Sequence, residues 1–464
     1  MLSFRLSCQA PLQWAEQTFA QAELGDRRRA QRAVTIAQAM AQQPGASIPI
    51  LFENPYEIKA AYNLFDRPEA TPDALQAPHR ADVLARMRTP GQTYLLLQDS
   101  SDFSWSGHQT VAGLGPIGLG QKGLQGFMLH SALAVRWTMP EALGAKRAPV
   151  EILGVVDQLY EIRRPRPADE RRGDSKARQG RVRESHCWQT QSQHIGPAPA
   201  GVRWEEVCDR GADIFEFLGG CREQNHGFIV RAAQDRALED ERGEKTPETL
   251  FTLARKLPPL GRFTLELRAR KGQPARTARL AMGATRVRLR APQRPGPPAA
   301  KPRGLACTVV RVFEVDAPAQ ITQPLEWILL SEVEVESFEQ AREVALKYSA
   351  RWLIEEFHKG LKTGLGAERL QLETAARLFA AIAIMSLVAL RLIDLREAVR
   401  EDPQAPADQA GVLSPLELHV LRKKLKRPIR TVGEIALAIG RLGGHMNRKA
   451  DGLPGWQTFR DLSH

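Results

Sequence analysis

Cysteine is scarce in this sequence. The 464-residue chain has five cysteines, an odd number, and no two of them are spaced as C-x-x-C. Closely spaced cysteine pairs are typical of zinc sites, and an even set in a short secreted chain is typical of a disulfide framework. The pattern therefore argues against both a structural zinc site and a disulfide-stapled fold.

Long apolar runs are also absent. The longest, residues 378–390, lies between two arginines and is shorter than the roughly 20 residues that a membrane-spanning helix needs. It predicts a buried helix instead. The N-terminus has no lysine-flanked apolar core, so no signal peptide is expected. We therefore expect a cytoplasmic protein without a membrane partner.

Length and charge favour a multidomain protein with a polyanionic partner. A chain of 464 residues is long enough for two or three domains. Lys and Arg total 65 against 53 Asp and Glu, which gives a net charge of +12 and a pI near 9.7. A basic surface attracts nucleic acid at long range. The same balance is common in arginine-rich soluble proteins, so charge alone does not identify the partner.

Residues 348–362 predict an amphipathic helix with a polar front. At about 100° per residue, the polar side chains fall within one arc of roughly 80°. They are Tyr348, Arg351, Glu355, Lys359 and Lys362. The opposite side is apolar and carries Leu346, Leu353, Ile354, Phe357 and Leu361. Such a front suits a metal ion and phosphates, although a core helix with a solvated, salt-bridged face has the same pattern.

Two acids follow strand-like runs. Asp99 closes the run 94–99, and Asp209 closes the run 204–209. A carboxylate at the end of a buried strand is rigidly held, which suits a divalent ion with oxygen ligands. Either Asp alone could be a turn or helix-cap residue. Together with Glu355, the strand–strand–helix pattern of acids indicates two-metal phosphoryl transfer.

The spacing on the predicted helix matches a family signature. The pattern Y-x2-R-x3-E-x6-K is met by Tyr348, Arg351, Glu355 and Lys362. The segments around Asp209 and after Asp99 are similar to the same family. Over nearly its whole length the chain resembles the bacterial cut-and-paste DDE transposases of the IS-four family.

The resemblance implies an α/β fold with an RNase H-like catalytic core at residues 71–370. Short β-like runs separated by Pro- and Gly-rich breaks predict a β insertion at about 232–331. Residues 1–70 have a helical pattern, and the resemblance makes them a domain that binds the ends of the mobile DNA. Residues 371–464 are predicted to be a helical C-terminal region for dimerisation and DNA contacts.

The implied chemistry is metal-dependent DNA cleavage and strand transfer. Asp99, Asp209 and Glu355 would bind two Mg2+ ions, for which Mn2+ can substitute, and no organic cofactor is expected. The implied steps are nicking of the transposon end, hairpin formation, hairpin opening and joining to target DNA. The implied partners are double-stranded DNA, as inverted-repeat ends and as target, and a second copy of the chain in a homodimer.

Further residues are expected to contact DNA. Those assigned to phosphates are Tyr348, Arg351, Lys359, Lys362 and Arg210. Trp327, 21 residues before Tyr348, matches the family position that stacks a flipped base, although it could be an ordinary aromatic residue in an apolar strand.

A basic edge is predicted near the N-terminus. Asp26 is a plausible helix N-cap, and Arg28, Arg29 and Arg32 would lie on one face of the helix that follows. We expect this edge to face the phosphates of the DNA end, although a solvated basic face would have the same sequence.

Two other functions fit parts of the pattern. A structure-selective RNase H-like nuclease would use the same triad without strand transfer. A non-catalytic DNA-binding relative would have a broken triad or lack the N-terminal helices, whereas this chain has all three acids and the helical N-terminal pattern.

Overall fold

The fold combines N-terminal helices, a large mixed sheet and C-terminal helices. The computed structural model describes residues 9–105, 111–118, 123–140, 149–164, 184–267, 275–292, 303–319 and 321–442. Residues 1–8 and 443–464, which belong to the predicted end regions, lie outside this set.

Several of the helices begin at a residue whose side chain caps them. Asp26 accepts a hydrogen bond from the Arg28 backbone N–H at 2.8 Å, which confirms it as an N-cap. The helices are α1 (Pro11–Phe19), α2 (Arg27–Gln42), α3 (Ile48–Leu51), α4 (Pro55–Phe65), α5 (Pro72–Arg86), α6 (Cys187–Ile195), α7 (Phe215–Glu223), α8 (Leu250–Lys256), α9 (Phe338–Ser349), α10 (Trp352–Lys359), α11 (Ala375–Glu401), α12 (Pro415–Leu425) and α13 (Val432–Leu442).

The strands join one sheet of 12 strands within the described residues. They are β1 (Thr93–Ser104), β2 (Gly115–Pro116), β3 (Gln125–Trp137), β4 (Val150–Glu161), β5 (Arg203–Cys208), β6 (His226–Arg231), β7 (Ala237–Glu239), β8 (Lys245–Thr249), β9 (Gly261–Leu267), β10 (Arg276–Leu289), β11 (Leu305–Glu314) and β12 (Glu326–Ser331).

The half of the sheet that carries Asp99 has the order β4–β3–β1–β5–β6. β3 is antiparallel to both of its long neighbours, whereas β1, β5 and β6 are parallel to one another. Helices cover both faces. This mixed α/β arrangement confirms the predicted fold class and is consistent with an RNase H-like core.

Strands β7–β12 fall within the predicted insertion, residues 232–331. They do not form a separate sheet, because β12 pairs with β6 and the strand order continues as β12–β11–β10. The inserted strands therefore extend the sheet that contains β1 and β5.

The register of β1 and β5 aligns the two predicted acids. Six consecutive pairs run from Thr93 opposite Arg203 to Gln98 opposite Cys208. Asp99 and Asp209 are the next residues on the two chains. The prediction that β1 ends at Asp99 was wrong, because β1 continues to Ser104 through its pairing with β3. Asp99 instead marks the point where β1 leaves β5.

The single helix predicted for residues 348–362 is divided. α9 ends at Ser349 and α10 begins at Trp352, and a π-helical turn, Gly360–Gly364, follows. Between α9 and α10 the backbone forms tighter i to i−3 hydrogen bonds, such as Arg351 N–H to the Tyr348 carbonyl at 3.1 Å. The break lets α9 pack on β10 and β6 while α10 packs on β1 and β3. The predicted apolar back is buried as expected.

Helix α11 lies in the hydrophobic core of the fold. By length and composition it could cross a membrane, yet 89% of its most apolar window is buried inside the protein. The buried helix predicted for residues 378–390 is thereby confirmed. The N-terminal helices pack against it: Arg391 lies over the Trp14 ring at 5.1 Å, and Gln76 donates to the Ala383 carbonyl at 3.0 Å. The N-terminal helices and the sheet therefore share one hydrophobic core.

Candidate active site

Asp99 occupies a confined position on the face of β1 that α10 covers. One carboxylate oxygen accepts from the Ser100 backbone N–H at 2.8 Å, and the other accepts from the Arg351 guanidinium at 3.2 Å. Burial and, after it, the neighbouring charge of Asp209 raise the pKa of Asp99 to about 7, against the opposing charge of Arg351. The Asp99 carboxylate is therefore costly to keep ionised without an additional cation.

The other two predicted acids flank the same point. Asp209 follows β5 and caps a short 3-10 turn, accepting from the Gly211 backbone N–H at 2.7 Å. Glu355 lies in the first turn of α10 and accepts a hydrogen bond from Arg351. The Arg351 side chain thus bridges Asp99 and Glu355, and only 10% of it is exposed.

The donor chemistry fits a divalent ion. Three carboxylates supply the oxygen ligands that Mg2+ and Mn2+ prefer, and the charges of Asp209 and Glu355 both raise the pKa of Asp99. Within the described part of the chain, no three Asp, Glu, His or Cys side chains are already arranged to hold a metal ion. The acids therefore lie near one another but are held apart from a ligating arrangement.

Aromatic and basic side chains lie beside the acids. The Tyr348 ring meets the Trp327 ring at 5.3 Å, edge to face, and lies 5.8 Å from the Arg351 guanidinium. Burial raises the pKa of Tyr348, whereas the charges of Arg351 and Arg231 oppose that rise. Trp327 is half-buried.

The remaining residues predicted to bind phosphate lie at the outer margin of the site. Lys362 donates to the Asp102 carbonyl and lies 4.9 Å above the Phe103 ring. Lys359 ends α10 and is exposed, as is Arg210, which directly follows Asp209. The structure therefore groups Arg351 tightly with the acids, while these three cations form the outer margin.

Two further residues were not predicted from the sequence. Arg231 ends β6 and contributes positive charge at Tyr348. Its signal was available, because the carboxyl ends of adjacent parallel strands meet at one edge of a sheet. Trp352 is 45% exposed and lies 5.9 Å from the Arg351 guanidinium. An aromatic residue beside the signature Arg was the signal there.

A buried chain of hydrogen bonds supports β1 on its opposite face. His130 contacts Ser100 at 2.7 Å and Gln98 at 3.0 Å, and the Gln98 amide donates to Glu206 at 2.7 Å. Burial lowers the pKa of His130 to about 3, so its ring is neutral. Because Gln98 donates through its amide, its carbonyl accepts from His130 Nε2, and Ser100 donates to His130 Nδ1. This chain joins β1, β3 and β5 beneath Asp99.

Two family models match the chain. A transposase DNA-binding model matches residues 11–70, and a transposase DDE domain model matches residues 207–391. The second match includes Asp209 and Glu355 and begins after Asp99. The chain belongs to the DDE transposases of the IS-four family. Within this family it resembles the transposase of transposon five, and its DDE domain makes it a catalytic, DNA-binding enzyme.

Arg28, Arg29 and Arg32 of the transposase differ in how far their side chains are exposed. Arg28 is 92% exposed and pairs with Asp26 at 3.0 Å. Arg29 pairs with Glu69 at 2.9 Å, and Arg32 pairs with Glu57. All three predicted DNA-end contacts pair with an acid, but Arg28 is the most accessible, whereas the other two are partly buried.

Replacing Asp99 should stabilise the metal-free transposase most at neutral pH. The pKa of Asp99 in the fold is about 7, against an ordinary value of 3.8. Between these values the folded state retains a proton that the unfolded state has released, so this group's contribution to stability falls as pH rises. Asn does not titrate. The advantage of Asp99→Asn in free energy of unfolding should therefore grow from about pH 5 to about pH 7, by at most ~1.4 kcal/mol per unit.

Denaturant unfolding in chelator at several pH values measures this difference. A difference that stays constant across the range would mean that Asp99 remains ionised in the folded protein throughout.

Proposed function

We propose that this transposase performs cut-and-paste transposition of an insertion sequence, with Asp99, Asp209 and Glu355 as the residues that hold divalent metal. The observation that carries the proposal is the alignment of β1 with β5, which makes Asp99 and Asp209 neighbours on the side where α10 carries Glu355. The bound ions would supply Lewis-acid activation of water or a 3′-hydroxyl and would stabilise the departing oxygen.

The chain's own residues would bind and orient the DNA. Arg210, Lys359 and Lys362 form a basic margin around the acids, where each can neutralise a phosphate. Tyr348 and Arg351 lie closer to the reacting phosphate. In this proposal the strand end reaches the three carboxylates with its backbone fixed on both sides, as in-line phosphoryl transfer requires.

Hairpin formation would depend on Trp327. A sharply bent strand has to expel a base from the stack, which costs a few kcal/mol, and stacking on an aromatic ring returns about 1–3 kcal/mol. Trp327 is half-buried, and its ring packs edge to face on Tyr348. We therefore assign Trp327 as the surface that receives the flipped base.

The remaining assignments follow the same proposal. The substrate is double-stranded DNA, both as inverted-repeat ends and as target, the active assembly is a homodimer, and the enzyme works in the cytoplasm. A structure-selective nuclease is the competing function. It would cleave the same ends but would not join them to a target, so a strand-transfer assay with a target plasmid separates the two.

Asp99→Asn, Asp209→Asn and Glu355→Gln should each abolish cleavage of the DNA that flanks the gene. Each removes one carboxylate from the proposed metal site while preserving side-chain size. End binding in gel shifts should remain, because the N-terminal domain supplies it. Asp102→Asn is the matched control: Asp102 lies on the same strand but pairs with Arg163 at 3.0 Å. Full cleavage by one of the first three variants would remove that residue from the triad.

Trp327→Ala should spare the first nick and impair the hairpin. Nicking needs only the metal site and a positioned phosphate, whereas hairpin closure needs a stacked, flipped base. Losing about 1–3 kcal/mol of stacking should slow that step roughly tenfold to a hundredfold. Denaturing gels of labelled ends over time separate the products, and Trp327→Phe should recover much of the rate. Wild-type hairpin rates in the Ala variant would leave Trp327 as a packing residue only.

Arg28→Ala should weaken end binding and flatten its salt dependence. Each lost phosphate contact lowers the slope of log affinity against log salt by roughly 0.9. Arg28 is the most exposed of Arg28, Arg29 and Arg32, so its loss should account for most of the effect of replacing all three. Arg279→Ala is the control, since Arg279 is equally charged, exposed and paired with Asp316. Equal slopes for the two variants would move the end-binding surface elsewhere.

A further inference from the structure

We propose that Arg351 is the resident cation of the metal-free site, and that its side chain must leave Asp99 and Glu355 before a divalent ion can take both carboxylates. This inference rests on the proposed metal-binding role of the triad. It gives Arg351 two positions, one on the acids and one on DNA phosphate, and it makes metal loading and DNA binding depend on one side chain.

The geometry shows what occupies the space between the acids. One terminal nitrogen of Arg351 contacts Asp99 at 3.2 Å, and the other contacts Glu355. Asp99 reaches this point from β1 and Glu355 from α10. A metal ion that used both carboxylates would have to enter the space between them, where these two nitrogens now each hold one carboxylate oxygen. Arg351 and the metal therefore compete for the same ligands.

In the inner position, where Arg351 contacts Asp99 and Glu355, one of its N–H groups has no hydrogen-bond partner among the described residues. Arg351 Nε is buried and has no hydrogen-bond partner among the described residues. A buried donor without a partner costs free energy, so the inner position is held by charge and not by a complete set of hydrogen bonds. Competition from a stronger cation or from a phosphate can then release it.

Two aromatic rings lie beside Arg351 in this position. The guanidinium lies 5.8 Å from the Tyr348 ring and 5.9 Å from the Trp352 ring, and Trp352 is partly exposed. Aromatic faces attract guanidinium groups at this range. A short side-chain movement along these rings would bring Arg351 towards the DNA phosphates that the proposed function assigns to it.

The exchange predicts coupling between metal and DNA. If only a fraction of molecules has Arg351 in an outer position, away from the acids, the apparent metal affinity falls by that fraction. DNA phosphate that captures Arg351 would remove the competitor, so DNA should strengthen metal binding, and metal should strengthen DNA binding by the same factor. The enzyme would therefore load its metal best once a DNA end is in place.

Calorimetric titration of the full chain with MnCl2, without DNA, tests the exchange. Arg351→Gln should lower the Mn2+ Kd by about tenfold, which corresponds to ~1.4 kcal/mol, because Gln cannot act as the competing cation. Lys362→Gln is the matched control. It removes the same charge from the next turns of the chain, yet Lys362 contacts the Asp102 carbonyl and Glu368 instead of the triad, so its Kd should stay close to wild type.

A second titration adds a duplex taken from the DNA that flanks the gene. The duplex should lower the Mn2+ Kd of the wild type and have a much smaller effect on Arg351→Gln. Thermal melting checks folding. If the Gln variant fails to fold, Arg351→Lys carries the test, because a single ammonium group pairs with one carboxylate and should give an intermediate Kd.

The outcomes separate this inference from the proposed function. Mn2+ binding that is unchanged by Asp99→Asn and Glu355→Gln would refute the metal site itself. Binding that requires both acids but is unchanged or weaker in Arg351→Gln would overturn only the exchange. Undetectable binding in both wild type and Arg351→Gln would also overturn it.

Discussion

Burial of an acid beside other acids is the constraint on which this structure depends. Burial, because a carboxylate in a low-dielectric site loses hydration, is the largest cause that raises the pKa of Asp99 to about 7, even with Arg351 alongside. The charge of Asp209 and, to a smaller extent, that of Glu355 add to this cost. A fold that gathers such groups needs a rigid frame to hold them and a positive charge to offset them. The sheet supplies the first, and Arg351 supplies the second.

Strand β5 makes buried polar contacts on both of its faces. Glu206 accepts hydrogen bonds from Gln98 and Ser192 at 2.7 and 2.6 Å, which secures β5 to β1 and α6. On the other face, Glu205 pairs with the buried Lys347 of α9 at 3.0 Å. Because α9 leads directly into α10, this pair connects the strand that precedes Asp209 to the helix that carries Glu355. Buried polar contacts of Glu205 and Glu206 therefore help to set the relative positions of all three acids.

Much of the site could be predicted from local pattern. The four-residue signature identified Tyr348, Arg351, Glu355 and Lys362, because their spacing is a property of neighbouring turns. Asp26 was predicted as an N-cap because capping depends on a few adjacent residues. The continuous helix was wrong for the same reason that local reasoning succeeds elsewhere: periodicity records side-chain direction but not the different surfaces on which α9 and α10 pack.

The sequence by itself determined which chemistry the chain carries: three acids, a basic balance and an Arg at i−4 from Glu355. Only the tertiary structure decided how these groups meet. The parallel register of β1 and β5 made Asp99 a neighbour of Asp209 across more than a hundred residues, and the sheet brought in Arg231, which no local motif marks. It also decided that Arg351 faces the acids while Arg28 faces solvent. Long-range pairing sets such contacts, because strands and helices distant in sequence become adjacent only when the core is buried.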